Sequence, residues 1–348
     1  MMSKPLPILD QMPWNVKRAI VDSSDNETKI ELCRCSKELN EHVKDSKIDV
    51  ETLWCSLRGY QAAAVRLQHS NGSLNFRSTA NGCIKTTNDG DKVTKIEGVD
   101  SISASVEQLM KVFKNQAFHF SSITMNFECD PSSDLHRQYV SQFTEKLKEE
   151  MSKLSHRISV GEFKMYNHFD PDQILDILPH IKPSRKFSLT LCPMSALFFA
   201  LSPDRAAVYF SEIDLSKIAE TEQWKRAKDV ELRHFNVPVD CPETMSIPSL
   251  LFNVPNLIVK DVKFIVENIT RKDGWRERSI SCQNVDKSVM GYLSNFRVGQ
   301  RGGEYDYEVP GVNGVPCYAH VRNCGRSGKK LWFRSDSERP KSYYYRCM

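Results

Sequence analysis

Ile213–Asn236, IDLSKIAETEQWKRAKDVELRHFN, carries the strongest local signal in the chain. It reads as a helix bearing Glu222-Gln223-Trp224-Lys225-Arg226-Ala227-Lys228 that runs straight into a short strand, Val230-Glu231-Leu232. On residue chemistry alone this is an amphipathic helix feeding a strand, with Trp224 packed inward. A helix joined to a strand is the building unit of an α/β layer, so the question becomes how often the unit recurs.

Upstream it recurs several times. Val106–Phe113 reads as a helix and Ile123–Phe127 as a strand. Pro131 and Asp134 open a long helix with Leu135, Tyr139, Phe143, Leu147, Met151 and Leu154 on one face. Val160–Met165 is the next strand. Asp170-Pro171-Asp172-Gln173 then has the cap, the N1 proline and the capping-box partner of a helix start, and Phe169 is placed to staple onto Ile174. Phe187–Leu191 is again a strand, and Val259–Ile269 a helix with Val262, Ile265, Val266 and Ile269 aligned. Three strands share an apolar spacing: Ile123-x-Met125-x-Phe127, Val160-x-x-Phe163-x-Met165 and Phe187-x-Leu189-x-Leu191. Stacked repeats resembling leucine-rich repeats fit this pattern, as does an ordinary α/β layer.

The flanks differ. Between Gly59 and Val99, short strand-like runs are separated by Asn71-Gly72, Asn81-Gly82 and Asp89-Gly90, dipeptides that favour tight hairpins. An antiparallel meander is expected there. Beyond Gly291 the Gly- and Tyr-rich sequence predicts hairpins ending in a basic aromatic tail. That segment has ten Lys/Arg against five Asp/Glu. Leu9–Lys47 reads as two helices: Pro13 starts the first, with Val16, Ile20 and Val21 at helical spacing, and Ile30, Leu32, Cys33, Leu39 and Val43 mark the second. The expected fold is therefore mixed α+β and α/β. Its segments are a helical one (1–50), an antiparallel meander (51–105), irregular helix–strand units in a degenerate leucine-rich-repeat arc (106–290), and a basic hairpin tail (291–348).

Composition narrows the function. Of 348 residues, 40% are hydrophobic and 26% charged, with a net charge of +4, weak for a nucleic-acid binder. The N-terminus has no signal-peptide core, and the longest uncharged run, Phe187–Pro203, is too short and too proline-interrupted to span a membrane; it reads as a buried strand plus a short core helix. Eleven unpatterned cysteines suit reduced thiols in the cytoplasm or nucleus. No Walker loop, Gly-x-Ser-x-Gly elbow, His-Glu-x-x-His or Cys-x-x-Cys pair is present, so neither catalytic residue nor cofactor nor metal is expected. Cys33-Arg34-Cys35 with His42 fails as a metal site, because residues two apart on a helix point about 200° away from each other. Lys329–Arg334 and Tyr343–Arg346 interleave basic and aromatic residues, a pattern able to stack on single-stranded bases. The same residues read equally as a terminal strand with solvated charges.

Glu222-Gln223-Trp224-Lys225 and Ala227-Lys228 resemble the signature of the FTH domain, found in a large nematode family where it follows an N-terminal F-box (the F-box A type family). Leu9-Asp10-Gln11-Met12-Pro13-Trp14-Asn15-Val16, then Ile20-Val21 and Leu32-Cys33-x-Cys35-Ser36-Lys37-x-Leu39, resemble the F-box itself. Ser23–Glu27 departs from the more apolar stretch usual between the two helices. The order of elements matches the family over roughly residues 9–290. The resemblance implies a non-catalytic adaptor of an SCF-type ubiquitin ligase. In that role Leu9, Met12, Pro13, Trp14, Val16, Ile20, Leu32 and Leu39 would dock on a Skp-type adaptor linked to a cullin. The FTH-like part would capture a target protein, and ubiquitin would be delivered by proximity. An N-terminal helical hairpin packed on its own domain, with the chain acting as a free-standing scaffold, is the other reading of the same residues.

Overall fold

The apolar spacing seen in the sequence extends along most of the chain once placed in space. Val50-x-x-Leu53-x-Cys55, Phe120-x-x-Ile123-x-Met125 and Val160-x-x-Phe163-x-Met165 are buried at all three positions. So are Ala227-x-x-Val230-x-Leu232 and Ile247-x-x-Leu250-x-Phe252. In Trp275-x-x-Arg278-x-Ile280 the pattern is kept except that an arginine takes the middle position. A computed structural model describes residues 12–24, 28–29, 32, 48–58, 62–67, 72–87, 93–116, 118–128, 133–168, 171–193, 211–212, 214–271, 275–301, 304–311, 314–323 and 329–335. Leu9, Leu39, the Cys33–Cys35–His42 group, residues 194–203 of the long uncharged run and the tail from Asp336 lie outside them.

The N-terminal described element is helix α1 (Trp14–Ser23). Strands β1 (Ile48–Arg58), β2 (Ala62–Leu67), β3 (Gly72–Thr79), β4 (Gly82–Thr87) and β5 (Val93–Glu97) follow as an antiparallel meander. Then come α2 (Ser101–Phe113), β6 (Phe118–Glu128), α3 (Asp134–Ser152), β7 (Ile158–His168), α4 (Pro171–Ile177) and β8 (Ile181–Pro193). Next are β9 (Ser211–Glu212), α5 (Ser216–Ala219), α6 (Glu222–Arg226), β10 (Asp229–Asn236), β11 (Ser249–Leu257), α7 (Val259–Ile269) and β12 (Glu277–Val285). The chain closes with α8 (Lys287–Ser294), β13 (Arg297–Arg301), β14 (Glu304–Pro310), β15 (Pro316–Asn323) and β16 (Lys329–Arg334).

All strands join one mixed sheet. Its middle consists of β1, β6, β7, β8, β10, β11 and β12, parallel throughout and in chain order. The β1–β5 meander extends one end. At the other, β16 pairs antiparallel with β12 and carries β15, β14 and β13 outward. One ladder crosses the middle: Leu53, Ile123, Phe163, Leu189, Val230, Leu250 and Arg278 are register neighbours in turn. The helices cover the face to which these residues point, and α2, α3, α4 and α7 share one continuous core with the strands. Phe127 meets Phe143 of α3 edge to face at 6.1 Å, and Phe113 of α2 meets Phe120 at 6.0 Å.

Local chemistry sets the helix starts. Asp100 accepts the Ser103 N–H at 2.8 Å, and Asp286 accepts the Ser288 N–H at 2.7 Å. The α3 stripe begins only at Tyr139, since Leu135 in the first turn is 62% exposed. Gly161 is required by close approach rather than by backbone angle: a Cβ there would sit 2.7 Å from the Ser121 carbonyl oxygen on β6. Gly161→Ala should therefore cost about 1–3 kcal/mol in urea unfolding, although alanine normally favours a strand over glycine. An unchanged or raised midpoint would show that the β6–β7 contact is not limiting.

Candidate functional site: the signature helix, the N-terminal helix and an open sheet face

The stretch around Trp224 is not the single helix its sequence suggests. Thr221 adopts an extended conformation (φ −69°, ψ 149°), and its hydroxyl accepts the Trp224 N–H at 3.2 Å. This cap splits the segment into α5 and α6. Within α6, Gln223 and Trp224 are buried and Ala227 follows them inward, while Glu222, Lys225 and Lys228 face solvent. Gln223 donates its amide to the Ile181 carbonyl at 2.5 Å, fastening the helix to the start of β8. The Lys228 N–H donates to Phe187 O at 2.9 Å and its carbonyl accepts from Ser249 at 3.1 Å, so this residue links β8 and β11. Glu222 bridges outward to Arg157 at 2.5 Å and to Arg226 at 3.2 Å.

The Trp224 indole donates to the Glu243 carbonyl at 2.9 Å. Trp275 does the same for Met245 at 2.9 Å. Arg278 donates to Thr244 O at 3.3 Å, Ile247 O at 3.0 Å and Pro248 O at 3.2 Å, and its guanidinium lies 3.6 Å from the Trp275 ring centroid. Five carbonyls of the β10–β11 connection are thus satisfied by three side chains. Burial pushes the Arg278 pKa down to about 9, which leaves it charged at neutral pH. The signature residues that are buried act as structural fasteners. Sequence reasoning did not find Arg278 or Trp275 as their partners, because donors and acceptors lie some twenty to thirty residues apart.

The residues expected to dock an adaptor are partly brought together. Trp14 and Val16 on α1 are 42% and 39% exposed, Pro13 is exposed, and Met12 and Ile20 are partly so. On the inner side of the helix Val21 is buried, as is Leu32 beyond it. Neither belongs to the core that unites the sheet and its helices.

The third surface is the sheet face opposite the helices. Its outward rows on the parallel strands, from β1 to β12, are Thr52, Ser122, Glu162, Ser188, Asp229, Ser249 and Glu277, then Trp54, Thr124, Lys164, Thr190, Glu231, Leu251 and Ser279. Glu162 pairs with Lys164 at 2.7 Å and Glu231 with Arg233 at 2.7 Å. The rows continue onto β16, where Leu331 and Phe333 are buried in the core and Trp332 is half-buried between Lys330 and His320. Lys329–Arg334 is therefore a strand, with Lys330 and Arg334 on the outward side; Tyr343–Arg346 lies outside the described residues.

A family model described as the FTH domain matches residues 141–291. The matched stretch is less than half of the chain and is similar to the FTH domain. It takes in most of α3, strands β7 to β12 and the first half of α8, and includes the Trp224 helix, the 243–248 connection and Arg278. No curated protein and no solved structure matches the chain. The N-terminal helix and both antiparallel flanks lie outside the match. Among the described residues, no group of His, Cys, Asp and Glu is arranged to hold a metal ion, and no helix is long and apolar enough to cross a membrane.

Two outcomes follow from this chemistry. Trp224→Phe keeps one aromatic ring but leaves the Glu243 carbonyl without its donor and a gap where the second ring packed, so it should lower unfolding free energy by about 2–4 kcal/mol in urea titrations. A change near zero would mean that water replaces the indole N–H. Burial pushes the thiols of Cys55, Cys192 and Cys317 up to about 12. Iodoacetamide at pH 8 should leave these three unmodified in the native protein and label them in urea, as read by peptide mass spectrometry.

Proposed function

We propose that this chain is a substrate-recognition adaptor of an SCF-type ubiquitin ligase. In this reading the α1 segment binds a Skp-type adaptor, and through it a cullin, while the FTH domain holds the target protein. The chain supplies proximity and no catalytic residue. The supporting observation is a helix that presents Trp14 and Val16 to solvent while standing outside the main core, on a chain whose remaining domain matches FTH. Trp14 and Val16 are two apart and so point about 200° away from each other; the support is the exposed apolar surface of the segment rather than one shared face, and a segment of this size rarely buries enough surface by itself.

The FTH domain in this reading is an arc of leucine-rich-repeat type. Five of the seven in-order parallel strands lie within the match, and they with the recurring three-position apolar spacing support it. The open face of such an arc is the natural place to hold a target. Work in the cytoplasm or nucleus fits the thiols and this ligase role. A second reading, a protein-interaction scaffold whose F-box has decayed, rests on the polar Ser23–Glu27 break in the N-terminal segment.

Co-expression with a Skp-type adaptor separates the two. The wild-type chain should co-elute with it as a 1:1 complex on size exclusion. Trp14→Asp with Val16→Asp should abolish co-elution while leaving the urea midpoint of the sheet domain unchanged, because neither side chain belongs to its core. A complex that survives both substitutions would remove α1 as the docking element, and a wild-type monomer with no complex would favour the scaffold.

A further inference from the structure

The sheet ends in two edge strands, β5 and β13. β13 carries devices that protect an edge: it is bulged between Arg297 and Gly299, and it bears two like charges, Arg297 and Arg301. β5 is built differently. It pairs with β4 in unbroken register from Val93 to Glu97, and among the described residues no strand pairs with its other side. Val93 is 62% exposed. Lys95 and Glu97 are exposed and of opposite sign, and neither has an ion-pair partner among the described residues.

The ladder fixes which backbone groups of β5 face the free edge. The Gly98 N–H donates to the Asn81 carbonyl at 3.0 Å, so Gly98 turns its peptide groups toward β4. Direction alternates along an antiparallel strand. Thr94 and Ile96 therefore also turn toward β4, while Val93, Lys95 and Glu97 direct N–H and C=O outward. Side chains alternate as well. Ile96 is the register neighbour of buried Cys83 and packs at the rim of the core, on the helix side. Lys95 and Glu97 lie on the opposite face.

We infer that β5 is a dimerisation edge, which takes the β5 of a second copy of this chain in antiparallel register about a two-fold axis at Ile96. The charges select that register. Centred on Lys95, ammonium would oppose ammonium, and centred on Glu97, carboxylate would oppose carboxylate; like charges directly opposite are destabilising. Centred on Thr94, Lys95 would oppose Val93 and Glu97 would gain no cation. Centred on Ile96, each Lys95 opposes the Glu97 of the second copy. Both residues direct their backbone groups outward, so each such pair exchanges both of its hydrogen bonds while the side chains form an ion pair. The two Ile96 side chains meet on the axis as a close pair without hydrogen bonds, on the helix side. Gly98, at φ 70°, ends the ladder. The contact is isologous, so it closes at two chains and does not grow into a fibre. So short a ladder is a small interface, and the dimer dissociates on dilution. The 1:1 ratio to an adaptor is unchanged by it, and the inference does not depend on the ligase reading.

The test is sedimentation equilibrium of the full chain. The weight-average mass should rise from the monomer value toward the dimer value between about 10 and about 500 µM. Lys95→Glu sets carboxylates opposite carboxylates, and Glu97→Lys sets ammonium groups opposite each other. Each variant alone should dimerise about tenfold more weakly or worse, and both should fold, because the two side chains are exposed. Mixed one to one, the two variants should associate as wild type does, since every carboxylate then meets an ammonium. The double variant, Lys95→Glu with Glu97→Lys, should also dimerise as wild type. A wild-type chain that stays monomeric to about 500 µM, single variants that dimerise as wild type, or a mixture that fails to associate would overturn the proposal. No adaptor is present in this assay, so failure of the β5 edge and failure of the ligase reading give different results.

Discussion

The five carbonyls of Glu243, Thr244, Met245, Ile247 and Pro248, each taking a hydrogen bond from a buried side chain, are the constraint on which the second half of the sheet depends. This connection between β10 and β11 has only a 3-10 turn, Pro242–Thr244, where other crossovers carry a helix. Its own turns satisfy only part of its backbone, as where Ile247 N–H donates to Thr244 O, and an unpaired peptide group in the interior costs more than most side-chain contacts return. Two indoles and one guanidinium solve the problem. Trp224 reaches in from the preceding helix, and Trp275 and Arg278 from the following strand.

This explains the one polar residue in an otherwise apolar ladder. Leu53, Ile123, Phe163, Leu189, Val230 and Leu250 fill their positions with hydrocarbon, and Arg278 fills the last with a charge. A buried charge without compensation is strongly unfavourable. Here backbone oxygens accept from both Arg278 terminal nitrogens, and the Trp275 ring faces the guanidinium plane. The ladder then passes to Phe333 on β16, so the arginine also marks where the parallel order ends and the antiparallel flank begins.

Alternation along the strands divides labour between the two faces of the sheet. Apolar alternation commits one face to the helices and leaves the other to small hydroxyls, paired charges and a few aromatics. Short parallel-strand crossovers keep the strands in chain order, so side chains far apart in sequence form straight rows. Recognition by such a surface depends on the rows rather than on any one strand. The N-terminal helix, with its small separate buried pair Val21 and Leu32, is independent of this scheme.

Much of this was legible in the residues. The strands through Ile123, Val160, Phe187 and Val230, the helices from Asp134 and Val259, and the turn at Asn81-Gly82 follow from period, caps and turn chemistry, all local properties. The Glu222–Lys228 motif pointed to the FTH domain now matched over residues 141–291. Local rules also erred locally: Thr221 competes as a cap and breaks the helix expected to run into the Val230–Leu232 strand, and Leu135 remains outside the stripe it belongs to by spacing. Tertiary structure alone decided the strand order, the pairing of Trp224, Trp275 and Arg278 with one loop, and the outward rows. Those depend on donors meeting acceptors, and strands meeting strands, across tens of residues, a distance over which no sequence period carries information.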